Sequence, residues 1–489
     1  MSDAPARYDR FDTMPIAGKW REGSSETVRA DRDPYTGDTL VEIRQADAED
    51  VDAAYGAAKE AATSWRESAP GERAAVMTRA AAVLDAREEE VVDWLVAEAG
   101  SSQVKARAEV QAVRAVFLQS AGIPHRIAGR ILPSDTPGKE NRVYRRPVGV
   151  VTVISPWNWP LQLSNRSVAP ALACGNAVVV KPAGDTPVTG GLLLAEILAE
   201  AGLPDGVLSV LVGAGSEIGD LIVQHPASRV VSFTGSTVVG RGIAEKAPLK
   251  RLSLELGGNG PLVVLDDADL EAAVDAAIFG KYLHQGQICM AINRIVVDDR
   301  VHDEFVDRFV ERARALPAGD PRDADTVIGP IINDSQVESI RDKVAEAKQQ
   351  GAEAILEGDP TGPMGSVVPP HVLLGSNEVA TAQQEVFGPV ATVIRARDEQ
   401  DALRIANDTE LGLSSAVFTA DVERGVRFAL QVEAGMTHVN DQPVNDEANT
   451  AFGGEKESGL GRFGGDWVVE EFTTDHWISV QHTRRRFPF

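Results

Sequence analysis

From residue 46 to residue 119 the chain is rich in alanine, and its apolar positions recur at helical spacing, as at Met77, Ala80, Ala81 and Leu84. Intervals of three and four residues gather such side chains on one face of a 3.6-residue helix, so this stretch predicts several helices. The pattern breaks between Arg126 and Pro147, where RIAGRILPSDTPGKENRVYRRP sets short apolar runs between Pro and Gly and predicts a protruding hairpin. From Val148 to about Leu265, short β-branched runs (VGVVTVI, NAVVVK, VLSVL, RVVSF, PLVVL) alternate with helix-like segments. Such alternation means βαβ units around a mainly parallel sheet. A second alternating series runs from RIVVDD at 294–299 through VATVIRARD, SSAVFTAD and MTHVN, so two α/β lobes are expected. The tail TTDHWISVQ is strand-like and has no evident partner in either lobe. No internal repeat or low-complexity segment interrupts this order.

Composition narrows the class. Hydrophobic residues form 43% of the 489-residue chain, enough for a sizeable core. The two cysteines, Cys174 and Cys289, provide no disulfide framework, as expected of a reducing compartment. MSDAPARYDRFD lacks the apolar stretch of a signal peptide, and no run of about eighteen apolar residues occurs to span a membrane. A soluble, cytoplasmic protein is the expectation. With 48 basic and 73 acidic side chains the net charge is −25, which repels phosphate backbones and argues against nucleic-acid binding. Only 11 of the cations are lysine; abundant carboxylates with little lysine fit a salt-rich cytoplasm or simple solubility.

Two glycine clusters follow strands. In VGAGSEIGD, 212–220, Gly219 comes one residue too late for G-x-G-x-x-G, so a tight strand–helix turn is expected. In FTGSTVVGR, strand residues Val230 to Phe233 run into Thr234–Gly235–Ser236, and Gly240 falls inside the next helix. Backbone N–H groups at that helix start suit a pyrophosphate, with the Ser236 hydroxyl adding a hydrogen bond; a plain glycine turn is the alternative.

Three stretches carry candidate chemistry. In LHQGQICMA, Cys289 follows an amphipathic run from Asp269 to His284, with Leu270, Val274, Ala277 and Ile278 on one face, that stops at Gly286. It precedes the buried strand Ile295 to Val297, so it sits at a junction where lobe edges meet rather than inside a core element. His284 invites a Cys–His hydrolase reading but lacks a third group, and a helix-capping role is expected for it. In SLELGGNGP, Glu255 ends an apolar strand between Leu254 and Leu256, where desolvation raises a carboxylate toward general-base duty. In ISPWNWPLQL, two prolines and two tryptophans pin a loop that holds Asn158, whose amide suits a developing oxyanion or an Asx-type turn.

Asn158 in PWNWP, Glu255 in LELGG and Cys289 in GQIC occur in the order and spacing of the NAD(P)-dependent aldehyde dehydrogenase superfamily. KPAGDTP, FTGSTVVG, EVFGPV and FGGEKESGLGR resemble its other signature blocks, from about residue 20 to the C-terminus. Within it, HQGQICMAINRIVVDD and HVNDQPVND look most like benzaldehyde and vanillin dehydrogenases, which act on aromatic aldehydes. The resemblance implies a Rossmann-like cofactor domain at 1–125 and 148–256, a catalytic α/β domain at 257–465, and oligomerisation segments at 126–147 and 466–489. It implies attack by the Cys289 thiolate, an oxyanion held by Asn158 and the Cys289 N–H, and thioester hydrolysis by water activated at Glu255. Coenzyme-A-acylating relatives typically lack that Glu. No metal enters this reading.

For NAD or NADP the resemblance implies Ser155 and Trp157 beside the nucleotide, Lys181 at the adenosine ribose, Gly235, Ser236 and Gly240 at the pyrophosphate, Glu385 on the nicotinamide ribose and Phe387 by the ring. Gly184 stands where NAD-preferring relatives often carry a Glu that reads the 2′-hydroxyl, which leaves the preference open and lets Lys181 meet a 2′-phosphate. Ala451 replaces a frequent Pro before FGG. Trp159, Gln162, Arg166, Ile288, Met290 and Phe452 are expected to line the aldehyde tunnel; Arg166 faces either a substrate group or an acidic neighbour. A homodimer or homotetramer follows from the family's shared C-terminal strand. An aliphatic aldehyde or semialdehyde, and a silent relative that keeps the fold, are the alternatives.

Overall fold

The computed structural model describes residues 6–489; the first five residues of the polar N-terminus lie outside it. The Ala-rich stretch forms four helices, Ala48–Glu67, Pro70–Ala86, Glu88–Ala99 and Gln103–Ala121. Asp47 caps the first through the Glu49 and Asp50 amides, and Ser102 caps the last. Met77, Ala80, Ala81 and Leu84 are buried together, as their spacing requires.

Two sheets carry the molecule. The first has six strands in the order Gly459–Leu460, Arg251–Glu255, Ser228–Thr234, Val150–Ile154, Ala177–Lys181, Leu208–Val210, parallel except for the first pair. From Val150–Ile154 the chain adds strands on one side, then returns to add Ser228–Thr234 and Arg251–Glu255 on the other. That reversal opens a crevice beyond the carboxyl ends of Val150–Ile154 and Ser228–Thr234, where open α/β sheets bind ligands.

The second sheet has seven strands, with Gly260–Val264 between Ile292–Asp298 and Ser414–Phe418. The PLVVL run, placed by its pattern in the first series, therefore belongs here. Hydrophobic periodicity marks a buried strand but not the sheet that receives it.

The predicted hairpin is present as Arg130–Leu132 and Lys139–Pro147. The tail strand Thr473–Gln481 does have a partner in its own chain: it pairs antiparallel along Lys139–Pro147, from Thr473 opposite Pro147 to Gln481 opposite Lys139. No helix among the described residues is long and apolar enough to cross a membrane.

Candidate active site

Asn158 hangs between strand Val150–Ile154 and helix Pro160–Ala173, which opens with proline at its first position, where a missing N–H costs nothing. The next two amides, of Leu161 and Gln162, donate to one oxygen of Glu109 at 2.9 and 3.1 Å. Its other oxygen takes the buried Lys105 ammonium at 2.5 Å. The helix start is thus clamped to the preceding helical layer. Asn158 is buried, and its Nδ2 donates to the Gln287 carbonyl at 2.9 Å. That bond orients the amide and leaves its second N–H for another acceptor.

Cys289 follows a sharper turn than the sequence suggests. The helix is Leu270–Tyr282, capped by Asp269; then His284 and Gln285 adopt left-handed backbone conformations, with φ of 50° and 55°. Gln285 donates to the Gly100 and Pro330 carbonyls, and the Gln287 side-chain oxygen accepts from the Ile332 amide at 3.0 Å. These bonds hold a conformation that costs a non-glycine residue about 1–3 kcal/mol. His284 does not cap the helix: its ring is buried, bonds no helix carbonyl, and burial drives its pKa well down. No hydrogen bond joins it to Cys289, which removes the support for a Cys–His hydrolase.

The two glycines after Leu256 have a steric reason. A Cβ on Gly258 would stand 1.9 Å from the Cys289 carbonyl oxygen, and one on Gly257 would stand 2.8 Å from Glu385 Oε2. Only bare backbone lets the strand carrying Glu255, the loop carrying Cys289 and Glu385 converge. Gly459, at φ 152°, pairs with Glu255 across the sheet, where a Cβ would meet the Leu254 carbonyl at 2.1 Å.

Two cavities meet at this junction. One, of about 240 Å³, is lined by Asn158, Trp159, Gln162, Ile288, Cys289, Met290 and Phe452. The other, of about 280 Å³, is lined by Asn158 and Cys289 again, with Trp157, Gly235, Ser236, Glu385 and Phe387. Trp157 and Phe387 pack edge to face at 5.4 Å, and Phe387 holds a left-handed φ of 57°. Cys289 is partly exposed. Burial first, then the Glu385 charge, pushes its thiol up to about 12, with Arg166 pulling the other way.

Not every expected residue lines these cavities. Arg166 lies outside the first cavity, 4% exposed, its guanidinium 4.5 and 4.6 Å from the Phe452 and Phe463 rings. It donates to Thr234 at 3.2 Å and lies 3.8 Å from Asp446, so the acidic neighbour holds it. Ser236 caps helix Thr237–Lys246 through the Val239 amide, and Gly240 is required because a Cβ would stand 2.4 Å from Leu256. Ser155 and Lys181 sit side by side at the carboxyl ends of neighbouring strands, joined by the Ser155 N–H to the Lys181 carbonyl at 3.2 Å.

Glu255 is 1% exposed with no hydrogen bond to either carboxyl oxygen. Burial raises its pKa to about 8 against the opposing Arg166 charge. Glu385 is half-buried and anchored: the Gly258 N–H donates to it at 2.9 Å, and Lys343 and Lys281 temper a pKa that desolvation raises to about 7. Glu109, Lys105, Asp446 and the backbone role of Gly258 are features the sequence did not disclose. The doubled glycine was their one visible signal. Among the described residues no His, Cys and carboxylate cluster is placed to hold a metal.

The Aldehyde dehydrogenase family profile matches residues 20–478. A vanillin dehydrogenase of Corynebacterium glutamicum is 51% identical over 473 residues, 96% of this chain and 97% of that one. The crystal structure of an NAD-dependent benzaldehyde dehydrogenase from Corynebacterium glutamicum superposes with a TM-score of 0.90 at 48% identity, covering 99% of both chains. That of a salicylaldehyde dehydrogenase from Pseudomonas putida G7, complexed with salicylaldehyde, gives 0.94 at 37% identity over 98% and 99%. With its thiol and amide lining the same two cavities, the chain belongs to the aldehyde dehydrogenase family.

Proposed function

We propose that the protein oxidises aromatic aldehydes to carboxylic acids with NAD or NADP. The observation that carries this reading is that Cys289 and Asn158 line both cavities, one walled by Trp159, Met290 and Phe452 and the other by Glu385 and Phe387. Aromatic and polarizable walls suit a flat ring. A nicotinamide dinucleotide fits the second: the anchored Glu385 faces it with carboxylate oxygens for ribose hydroxyls, and Gly235 and Ser236 open a helix at its edge.

The Cys289 sulfur attacks the aldehyde carbon. Burial keeps the thiol protonated at neutral pH, so its proton passes to solvent in the cleft as the sulfur attacks. The oxyanion receives the second Asn158 N–H and the Cys289 backbone N–H, which donates to no carbonyl among the described residues. The bound nicotinamide supplies the hydride acceptor. Glu255 then takes a proton from the water that attacks the Cys289 thioester, and the acid leaves.

The first sheet with its helices serves the nucleotide and the second presents the thiol, divided near residue 257. The sheet of Arg130–Leu132, Lys139–Pro147 and Thr473–Gln481 joins a second copy: Ile131, Trp477 and Ile478 are exposed on it, and both its outer edges are open. The assembly works in the cytoplasm, where both thiols stay reduced. A panel of benzaldehyde, vanillin, hexanal and succinate semialdehyde with both nucleotides tests the activity. Faster turnover of the aromatic pair is expected; hexanal or the semialdehyde leading by tenfold overturns the substrate class.

A further inference from the structure

Lys105 and Glu109 form an ion pair one turn apart on helix Gln103–Ala121, and neither side chain has any exposure. Two apolar side chains of similar size would stabilise the fold as well as two buried charges do, so stability does not account for the pair. Its contacts do. One Glu109 oxygen faces the ammonium, and the other accepts from the amides of Leu161 and Gln162 in the first turn of helix Pro160–Ala173. The ammonium also donates to the buried Ser101 hydroxyl at 3.0 Å and lies 5.0 Å from the centre of the Trp159 ring. Every residue held in this way, 159, 161 and 162, follows Asn158 within one turn.

Asn158 is tied on its other side by the bond from Nδ2 to the Gln287 carbonyl, and the Ile332 amide holds Gln287 in turn. The direction of its free N–H is therefore set by two anchors, the Cys289 loop and the buried pair. A donor aimed at a developing oxyanion loses much of its effect when displaced by about 1 Å. Ala108 and Ala112 of the same helix line the first cavity, whereas Lys105 and Glu109 line neither. The pair stands behind the wall and does not touch the substrate.

We infer that the Lys105–Glu109 pair is a positioning device that fixes the Asn158 amide for the oxyanion, acting through the first turn of helix Pro160–Ala173. This rests on the oxyanion role proposed above for Asn158 and extends it to two residues outside both cavities.

The rate of the NADH burst, on mixing the full chain with benzaldehyde and saturating NAD, tests the inference. Lys105→Met with Glu109→Gln removes both charges and keeps an oxygen for the two amides; its burst should stay within about threefold of wild type. Lys105→Met with Glu109→Met fills the same space and leaves the amides without an acceptor. That burst should be slower by about 10²-fold, with NAD affinity unchanged. Asn158→Ala alone should slow the burst by about 10²–10³-fold and erase the difference between the two pairs, because the clamp then has no donor to place. Ser101→Ala takes one bond from the ammonium and should slow the burst about threefold with Asn158 present and not at all without it. Equal bursts from the two pairs, a difference equally large in Asn158→Ala, or two unfolded pairs beside a Ser101→Ala of wild-type speed overturns the inference. A wild-type burst from Asn158→Ala overturns the oxyanion reading instead.

Discussion

Glu255 and Glu385 are both carboxylates whose charges reach Cys289, yet their surroundings differ. Glu255 ends a strand of the first sheet, and neither oxygen is hydrogen-bonded. Glu385 lies in a loop beside the second sheet, held by the Gly258 N–H with two lysines near. An unpaired carboxylate raised to about 8 is free to turn and exchange protons; an anchored one is fit to hold hydroxyls still. Chemical identity is the same, and position assigns the task.

The sharpest way to break this contrast is Glu255→Gln. Steady-state turnover should fall about 10³-fold, while a single burst of NADH equal to the number of sites survives, because hydride transfer precedes the lost base. A variant that turned over at the wild-type rate would show that the unpaired carboxylate has no part in hydrolysis. Gly258→Ala attacks the point where the two regions meet. Its Cβ can be housed only by moving the Cys289 backbone, and displacement of about 1 Å should cost about 10²-fold in kcat. Glu385→Gln is milder, since an amide oxygen still accepts from Gly258. The nucleotide KM should rise about tenfold, with the burst intact; a lost burst would assign Glu385 to the chemistry rather than to binding.

Much of this was legible in the chain. Periodicity located the helices of 46–119, the alternating strands and the hairpin, because a side chain's face follows from local geometry. PLVVL went to the wrong sheet and the tail strand's partner at 139–147 went unseen, because pairing is a long-range choice that no local pattern encodes. Cys289, Glu255 and Asn158 stood out by their unusual frames, and the structure brings the thiol and amide to the same cavities. His284 misled because a histidine near a helix end normally meets carbonyls, whereas here the chain turns left-handed and buries the ring. Arg166 was placed in the right neighbourhood, but its stacking between Phe452 and Phe463 depends on rings that lie almost three hundred residues away.

That buried arginine supplies the finest test of the contrast. Arg166 lowers the pKa of Glu255 against the raising effects of burial and of Asp446. In wild type the base is protonated below about 8, so hydrolysis of the thioester should climb as pH rises through that value. Arg166→Met keeps the stem between the two rings and removes the charge, so the climb should move to higher pH, while Asp446→Asn removes an opposing carboxylate and should move it lower. The plateau rate at high pH should change little in either variant, because the ionised base is the same. Rates of single-turnover thioester hydrolysis across pH 6–10 read both shifts. An unmoved profile in Arg166→Met would mean that burial alone sets the base, and that Arg166 serves packing.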